Sequence, residues 1–155
     1  MPSRGGRERS EDIAVEDLSL HILDIVENSL RANAKNVAIK LLEDKKNDKL
    51  ILEITDDGVG MSEETSRHSL DPFFTTKESK RVGLGLPFLA QAAEEAGGAL
   101  EVESTEGKGT RVTASFQLGH IDRKPLGDVE ETVRCLRATH PEVNFSFEFG
   151  SIEIG

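Results

Sequence analysis

The 155-residue chain has no tryptophan, no tyrosine and a single cysteine, Cys135. A lone cysteine excludes an internal disulfide and, without partner thiols, a Cys-x-x-Cys zinc site. A reducing, cytoplasmic compartment fits. No apolar run approaches the roughly 20 residues that a membrane-spanning helix needs, and Met1 to Ser10 is too polar for a signal peptide, so no membrane span is expected. Basic residues are in the minority, with 19 Lys and Arg against 29 Asp and Glu and a net charge of −10. Charge of that sign repels nucleic-acid backbones and anionic membranes, which argues against nucleic acid as a partner. Aliphatic bulk, by contrast, is plentiful. Leu, Ile, Val and Phe make up about a quarter of the chain, too much for a disordered polypeptide. The length suits one core.

Residues 1–17 mix Gly, Arg and acidic residues without periodicity and read as a flexible leader. From Leu18 to Ala34 there is no Gly or Pro, and Ile22, Leu23, Val26 and Leu30 recur at helical spacing, which predicts an amphipathic helix with those four on its core side. Asn36 to Leu42 and Leu50 to Thr55 carry β-branched, alternating apolar residues around the polar turn EDKKNDK, a pattern for two antiparallel strands. Ser62 is a candidate N-cap for a short helix running toward Leu70. A second helix from Pro87 ends at Gly97-Gly98, and strands at Ala99 to Ser104 and Thr110 to Leu118 follow. The order helix, strand, strand, helix, strand, strand suggests an α+β sandwich with the helices on one face of the sheet. Beyond Gly119 lie a helical pattern from about Leu126 to Ala138 and an alternating strand from Val143 to Phe149. Their purpose is not evident from the pattern. Such a strand needs covering, by this domain or by a second subunit.

Several short motifs carry chemistry. On the first helix, Asp24, Asn28 and Arg31 fall within roughly 60° of one another at about 100° per residue. An acid, an amide and a base on one stripe could orient a water, offer a neutral oxygen to a hard cation and pair with phosphate, or could simply form a solvated face. In DDGVGM, Asp56 follows a strand directly, and Gly58 and Gly60 permit close approach of a flat ligand. A carboxylate there could accept a hydrogen bond from an exocyclic amine such as that of adenine, although a strand-ending Asp-Gly turn has the same composition. In RVGLGLPF, Gly83 and Gly85 precede a proline-started helix whose N-terminus suits an anion, and the same residues could form an ordinary loop. The Walker spacing and the dinucleotide fingerprint are both absent. DPFFTTK places Phe73 and Phe74 beside Thr75, Thr76 and Lys77, a pattern for anchoring a mobile lid or for a core edge followed by a polar loop.

Taken in order, VENSLRANA, DDGVGM, DPFFTTK, GLGL and STEGKGTRVTASFQL resemble the boxes of the GHKL superfamily of ATP-binding domains, with the histidine kinase catalytic domain the nearest match. The resemblance covers about Leu18 to Leu118. It implies a two-layer α/β sandwich of Bergerat type with a mixed sheet. It implies ATP as ligand and Mg²⁺ as its metal, with Asn28 coordinating the ion that bridges the phosphates and Arg31 contacting phosphate. Asp56 would read the adenine amine, Gly58 and Gly60 would wall the base pocket, and Thr110 would support Asp56 through hydroxyl and water contacts. Gly83, Leu84, Gly85 and Leu86 would border the triphosphate, and Phe74, Thr76, Lys77 and Arg81 would belong to the lid. The catalytic set implied is Asp24, Asn28 and Lys77.

Three departures qualify the resemblance. Arg81 stands at the first glycine of the Gly-x-Gly-x-Gly run that many kinases carry, which implies a stiffer lid or a direct contact of Arg81 with phosphate. Asp24 stands where hydrolysing members have Glu and many kinases Asn, which leaves hydrolysis open. The residues before Leu18 are too few for the dimerising hairpin that bears a phosphorylated histidine, so the acceptor is expected on a separate protein. The chain's own His21, His68, His120 and His140 read as structural. The expected division is a leader at 1–17, an ATP-binding domain at 18–119 and an extension at 120–155, the last a candidate surface for a homodimer. The function expected is phosphoryl transfer from ATP to a partner protein in two-component signalling. The alternatives are an ATP-gated binding switch of anti-sigma type and a stand-alone ATPase of MutL or gyrase type.

Overall fold

The structure is a computed structural model that describes residues 18–71, 85–120 and 125–152. Helix α1 (Leu18–Arg31) leads into strands β1 (Asn36–Asp44) and β2 (Lys49–Asp56), then the short helix α2 (Glu63–Arg67). Helix α3 (Gly85–Glu95), strands β3 (Leu100–Thr105) and β4 (Gly109–Gln117), a 3₁₀ turn (Leu118–His120), helix α4 (Pro125–Thr139) and strand β5 (Asn144–Ile152) follow. The five strands form one sheet in the order β3-β4-β2-β1-β5. Every neighbouring pair is antiparallel except β1 and β5, so the sheet is mixed.

Register explains which face is covered. Ile39, Ile54 and Val112 lie side by side across three strands, as do Leu41, Leu52 and Ala114, and all six are buried. They share one core with Ile22 and Val26 of α1, Leu89 and Ala93 of α3, and Val129 and Val133 of α4. The intervening residues are polar: Lys40 pairs with Glu148 at 3.9 Å, and Arg111 pairs with Glu103. This alternation is the signature of a sheet with one face packed under helices and the other toward water. The two-layer α+β arrangement expected from the sequence is therefore the one observed, resting on one continuous apolar layer.

Local chemistry sets the ends of the elements. Helix α1 stops at Arg31, three residues earlier than its pattern suggests, because Asn33 enters the left-handed region at φ 62°. The Asn33 and Ala34 amides donate to the carbonyls of Leu30 and Ser29 at 3.0 Å each, closing the helix in a Schellman motif. Gly97 and Gly98 close α3 in the same way, through Glu94 and Ala93. Ser62 caps α2, its hydroxyl accepting from the Thr65 amide at 3.2 Å. One position on α1 differs from expectation: Leu23 is 38% exposed, and the buried stripe runs through Leu18, Ile22, Ile25, Val26 and Ser29 instead. The sheet meets the helix along a stripe that includes Ile25 and Ser29, which turns Leu23 outward. The tail pairs with the sheet itself: β5 lies parallel to β1 in unbroken register from Asn36 opposite Asn144 to Asp44 opposite Ile152.

Candidate functional site

The end of β2 and one face of α1 meet at the carboxylate of Asp56. Ser29, only 1% exposed, donates from Oγ to Asp56 Oδ2 at 2.6 Å, and the Gly58 amide donates to Asp56 Oδ1 at 2.8 Å. Each carboxylate oxygen keeps a lone pair after these bonds. The group is thus held in one orientation while still able to accept from a third donor, the requirement for reading an amine.

The loop after Asp56 is shaped by contacts that exclude side chains. A Cβ on Gly58 would lie 2.7 Å from Cβ of Ala32, so this glycine lets the loop rest on the end of α1, where the Val59 amide donates to the Ala32 carbonyl at 2.9 Å. Gly60 has φ +73°, and a Cβ there would lie 2.3 Å from the Thr105 carbonyl oxygen. The Gly107 amide donates to Val59 O, which ties the β3–β4 turn to the same loop. Thr110 sits directly opposite Asp56 in the β2–β4 register. Its hydroxyl shares a 2.8 Å hydrogen bond with Ser104 Oγ, which also accepts from the Met61 amide at 2.8 Å.

These elements enclose a cavity lined by Ile25, Asn28, Arg31, Ala32, Asp56, Val59, Gly60, Met61, Leu86, Thr110 and Val112. Its volume is about 560 Å³ including the open mouth. Most of the lining is apolar, as a base requires, and the polar groups come from the first helix (Asn28, Arg31) and from the sheet (Asp56, Thr110). Among the described residues, Asn28 Nδ2 is buried without a hydrogen-bond partner. A buried amide left unsatisfied is costly, and a phosphate or metal-bound ligand beside Asn28 would relieve it. Arg31 lines the cavity from the last turn of α1 and pairs with Glu27 at 3.5 Å, half-exposed. The Mg-nucleotide implied by the sequence therefore fits the residues present: an amide at Asn28, a cation at Arg31 and an acceptor at Asp56.

Of the residues singled out from the sequence, Asn28, Arg31, Asp56, Gly60, Leu86 and Thr110 share this cavity, and Gly58 shapes its loop from behind. Asp24 is exposed and does not line the cavity; its Cβ packs against Gly85 at the start of α3, where a Cβ on the glycine would come within 3.1 Å. Phe74, Thr76, Lys77, Arg81, Gly83 and Leu84 lie outside the described residues. Motif reading missed Ser29, and it missed the apolar walls Ile25, Val59 and Met61. For Ser29 a signal existed, since helical spacing places it on the stripe of Ile22, Ile25 and Val26, where a hydroxyl needs a partner. Asp57 is exposed yet firmly held. The Lys35 and Asn36 amides donate to its Oδ1 at 2.8 and 2.9 Å, and Asn36 Nδ2 donates to Oδ2 at 2.8 Å. Those hydrogen bonds, led by the Asn36 side chain, lower its pKa to about 2.

Residues 14–120 match the family described as histidine kinase-, DNA gyrase B-, and HSP90-like ATPase. The chain is similar to sporulation kinase C of Bacillus subtilis (strain 168), 33% identical over 88 residues that cover 57% of this chain and 20% of that protein. It is also similar to the sensor histidine kinase ZraS of Escherichia coli O157:H7, 28% identical over 106 residues that cover 68% of this chain and 23% of the other. The chain thus spans about a fifth of the length of these curated relatives. Among solved structures, the N-terminal domain of a DNA repair protein matches with a TM-score of 0.56 at 17% identity, covering 94% of this chain and 52% of that one. At that identity the likeness is one of fold.

Proposed function

This chain belongs to the family of histidine kinase-, DNA gyrase B-, and HSP90-like ATPases, and from that premise we propose that it transfers the γ-phosphoryl group of ATP to a side chain of a partner protein in signal transduction. The chain carries an ATP-binding catalytic domain of histidine kinase type. Support for the finer reading comes chiefly from one observation: Asn28, Arg31 and Asp56, drawn from separate elements or turns, converge on one apolar cavity. In this reading residues 18–119 hold the nucleotide and residues 120–155 extend the domain, in a cytoplasmic setting that the lone free thiol of Cys135 suits.

Each residue has a distinct task. Asp56, oriented by Ser29 and Gly58, accepts from the adenine amine, and Gly60 and Val59 wall the base. Thr110 flanks Asp56 across the sheet and reaches it through water rather than directly, since its hydroxyl is engaged by Ser104. Asn28 offers its amide oxygen to Mg²⁺, with the orphaned amide nitrogen left to donate to phosphate. Bound magnesium supplies neutralisation of phosphate charge, the main electrostatic need of phosphoryl transfer. Arg31 adds positive charge on the same side, and Gly85 and Leu86 bring the N-terminal turn of α3 to the phosphates. Phe74, Thr76, Lys77, Arg81, Gly83 and Leu84 are assigned to the lid over the nucleotide, with Lys77 as its catalytic cation. Asp24, exposed beside Gly85, accepts a proton or orients a water.

Incubation with γ-labelled ATP and Mg²⁺, alone and with cell lysate, tests the proposal. Acid-labile label on protein is the expected result. Free phosphate as the sole product would indicate an ATPase, and binding without turnover an ATP-gated switch; either would contradict phosphoryl transfer.

A further inference from the structure

One line of polar contacts joins the last strand to the loop that carries Asp56. Asn144 Nδ2 donates to Asn36 Oδ1 at 3.1 Å, and Asn36 Nδ2 donates to Asp57 Oδ2 at 2.8 Å. The Lys35 and Asn36 amides complete the hold on Asp57, whose own amide donates to Asn36 O at 3.3 Å. Asp57 stands between Asp56 and Gly58, and the Gly58 amide donates to the Asp56 carboxylate. The peptide that orients Asp56 is therefore held through the Asp57 side chain and amide.

The order of donors and acceptors makes this line directional. An ionised carboxylate only accepts, so Asn36 must present Nδ2 to Asp57. That leaves Asn36 Oδ1 toward Asn144, which must present Nδ2 in turn. Strand pairing does not need the Asn144 side chain. Its backbone amide already donates to Lys35 O at 2.9 Å, and the register of β5 on β1 continues for eight further pairs. Among the described residues, the hydrogen bond of that side chain goes to Asn36. Asn144 also lies outside residues 14–120, the span that matches the family.

We propose that Asn144 is a positioning residue that acts through Asn36 and Asp57 on the Asp56 carboxylate, so that the last strand tunes how strongly the site prefers a purine with an exocyclic amine. The inference rests on the reading of Asp56 as the group that meets that amine. In Asn144→Asp a carboxylate faces Asn36 Oδ1, and an Asn36 amide that flips to relieve the repulsion turns its own oxygen toward Asp57. Asn144→Ala merely removes the contact.

Two measurements on the full chain test this. The first is the ratio of affinities for ATP and ITP, which has a carbonyl in place of the amine. The second is hydrogen exchange at the Gly58 amide in nucleotide-free protein. Asn144→Asp is expected to lower the ATP preference about three- to tenfold and to speed Gly58 exchange by a similar factor, with Asn144→Ala smaller in both. A purely structural role would change neither in folded protein. An unchanged ratio together with unchanged Gly58 exchange would overturn the proposal. If the wild-type chain itself shows no preference for ATP, the reading of Asp56 fails, and Gly58 exchange then decides alone: acceleration supports the link and no change overturns it. Should Asn144→Asp not fold, Asn144→Ala answers the same two measurements.

Discussion

Replacing Asp56 with Asn keeps the shape of the side chain and removes its charge. The carboxylate accepts from Ser29 Oγ at 2.6 Å and from the Gly58 amide at 2.8 Å, with lone pairs left for the purine amine. An Asn amide has one oxygen. If that oxygen stays with Gly58, the NH₂ group faces Ser29, which can answer by accepting, and the cavity side then meets the purine amine with a donor. Losing a hydrogen bond to a charged group costs about 1.5–3 kcal/mol, and leaving a donor unpaired adds about 1–3 kcal/mol. The sum corresponds to a loss of ATP affinity of roughly a hundredfold or more. Because both local partners keep a bond, the melting temperature should fall by only a few degrees. Calorimetric titration with MgATP, paired with thermal melting by circular dichroism, measures the two effects separately. ITP, lacking the amine, should lose far less. A change under threefold for ATP, in a folded variant, would refute the assignment of Asp56 to the base.

Other consequences follow from the same geometry. Asn28→Ala should abolish the gain in ATP affinity that Mg²⁺ confers and also weaken metal-free binding through the lost donor to phosphate, as read by titrations with and without EDTA; an unchanged magnesium effect would remove Asn28 as the metal ligand. Asp24→Asn should slow turnover of labelled ATP while changing affinity less than twofold, since the side chain does not line the cavity; equal loss of both would make its role structural. Asp57 has a folded pKa lowered to about 2 from the ordinary aspartate value of 3.8, so its stabilising bonds are fully present above about pH 4 and are lost as pH falls through 2. Asp57→Asn should therefore be less stable than wild type at neutral pH, and the gap measured by urea unfolding should narrow from pH 4 toward pH 2. A gap independent of pH would show that the carboxylate charge is not what holds the loop.

How much of this the sequence reveals depends on the range of the interaction. The first two strands, their hairpin and α3 with its Gly97-Gly98 stop follow from alternation and caps, which are local. Asn28, Asp56 and Thr110 can be named from their motifs, although their meeting in one cavity is a property of the sheet register. Ser29 hides because it is a common residue beside the more conspicuous Asn28, and only its place on the buried stripe reveals it. Leu23 misleads because hydrophobicity at helical spacing does not say where the sheet will lie. The tail shows the limit most clearly. VNFSFEF reads as a strand, but nothing within it specifies parallel pairing with a strand more than a hundred residues earlier, which is set by the edge that β1 leaves open and by α4 packing into the common core.

A crystal structure of the chain with a non-hydrolysable ATP analogue and Mg²⁺ tests the central claim most directly. The account requires the purine amine within hydrogen-bond distance of the Asp56 carboxylate, with Ser29 and Gly58 still holding it, and the metal bound through the side chain of Asn28. A nucleotide lodged elsewhere, or a base in this cavity with its amine turned away from Asp56, would contradict it.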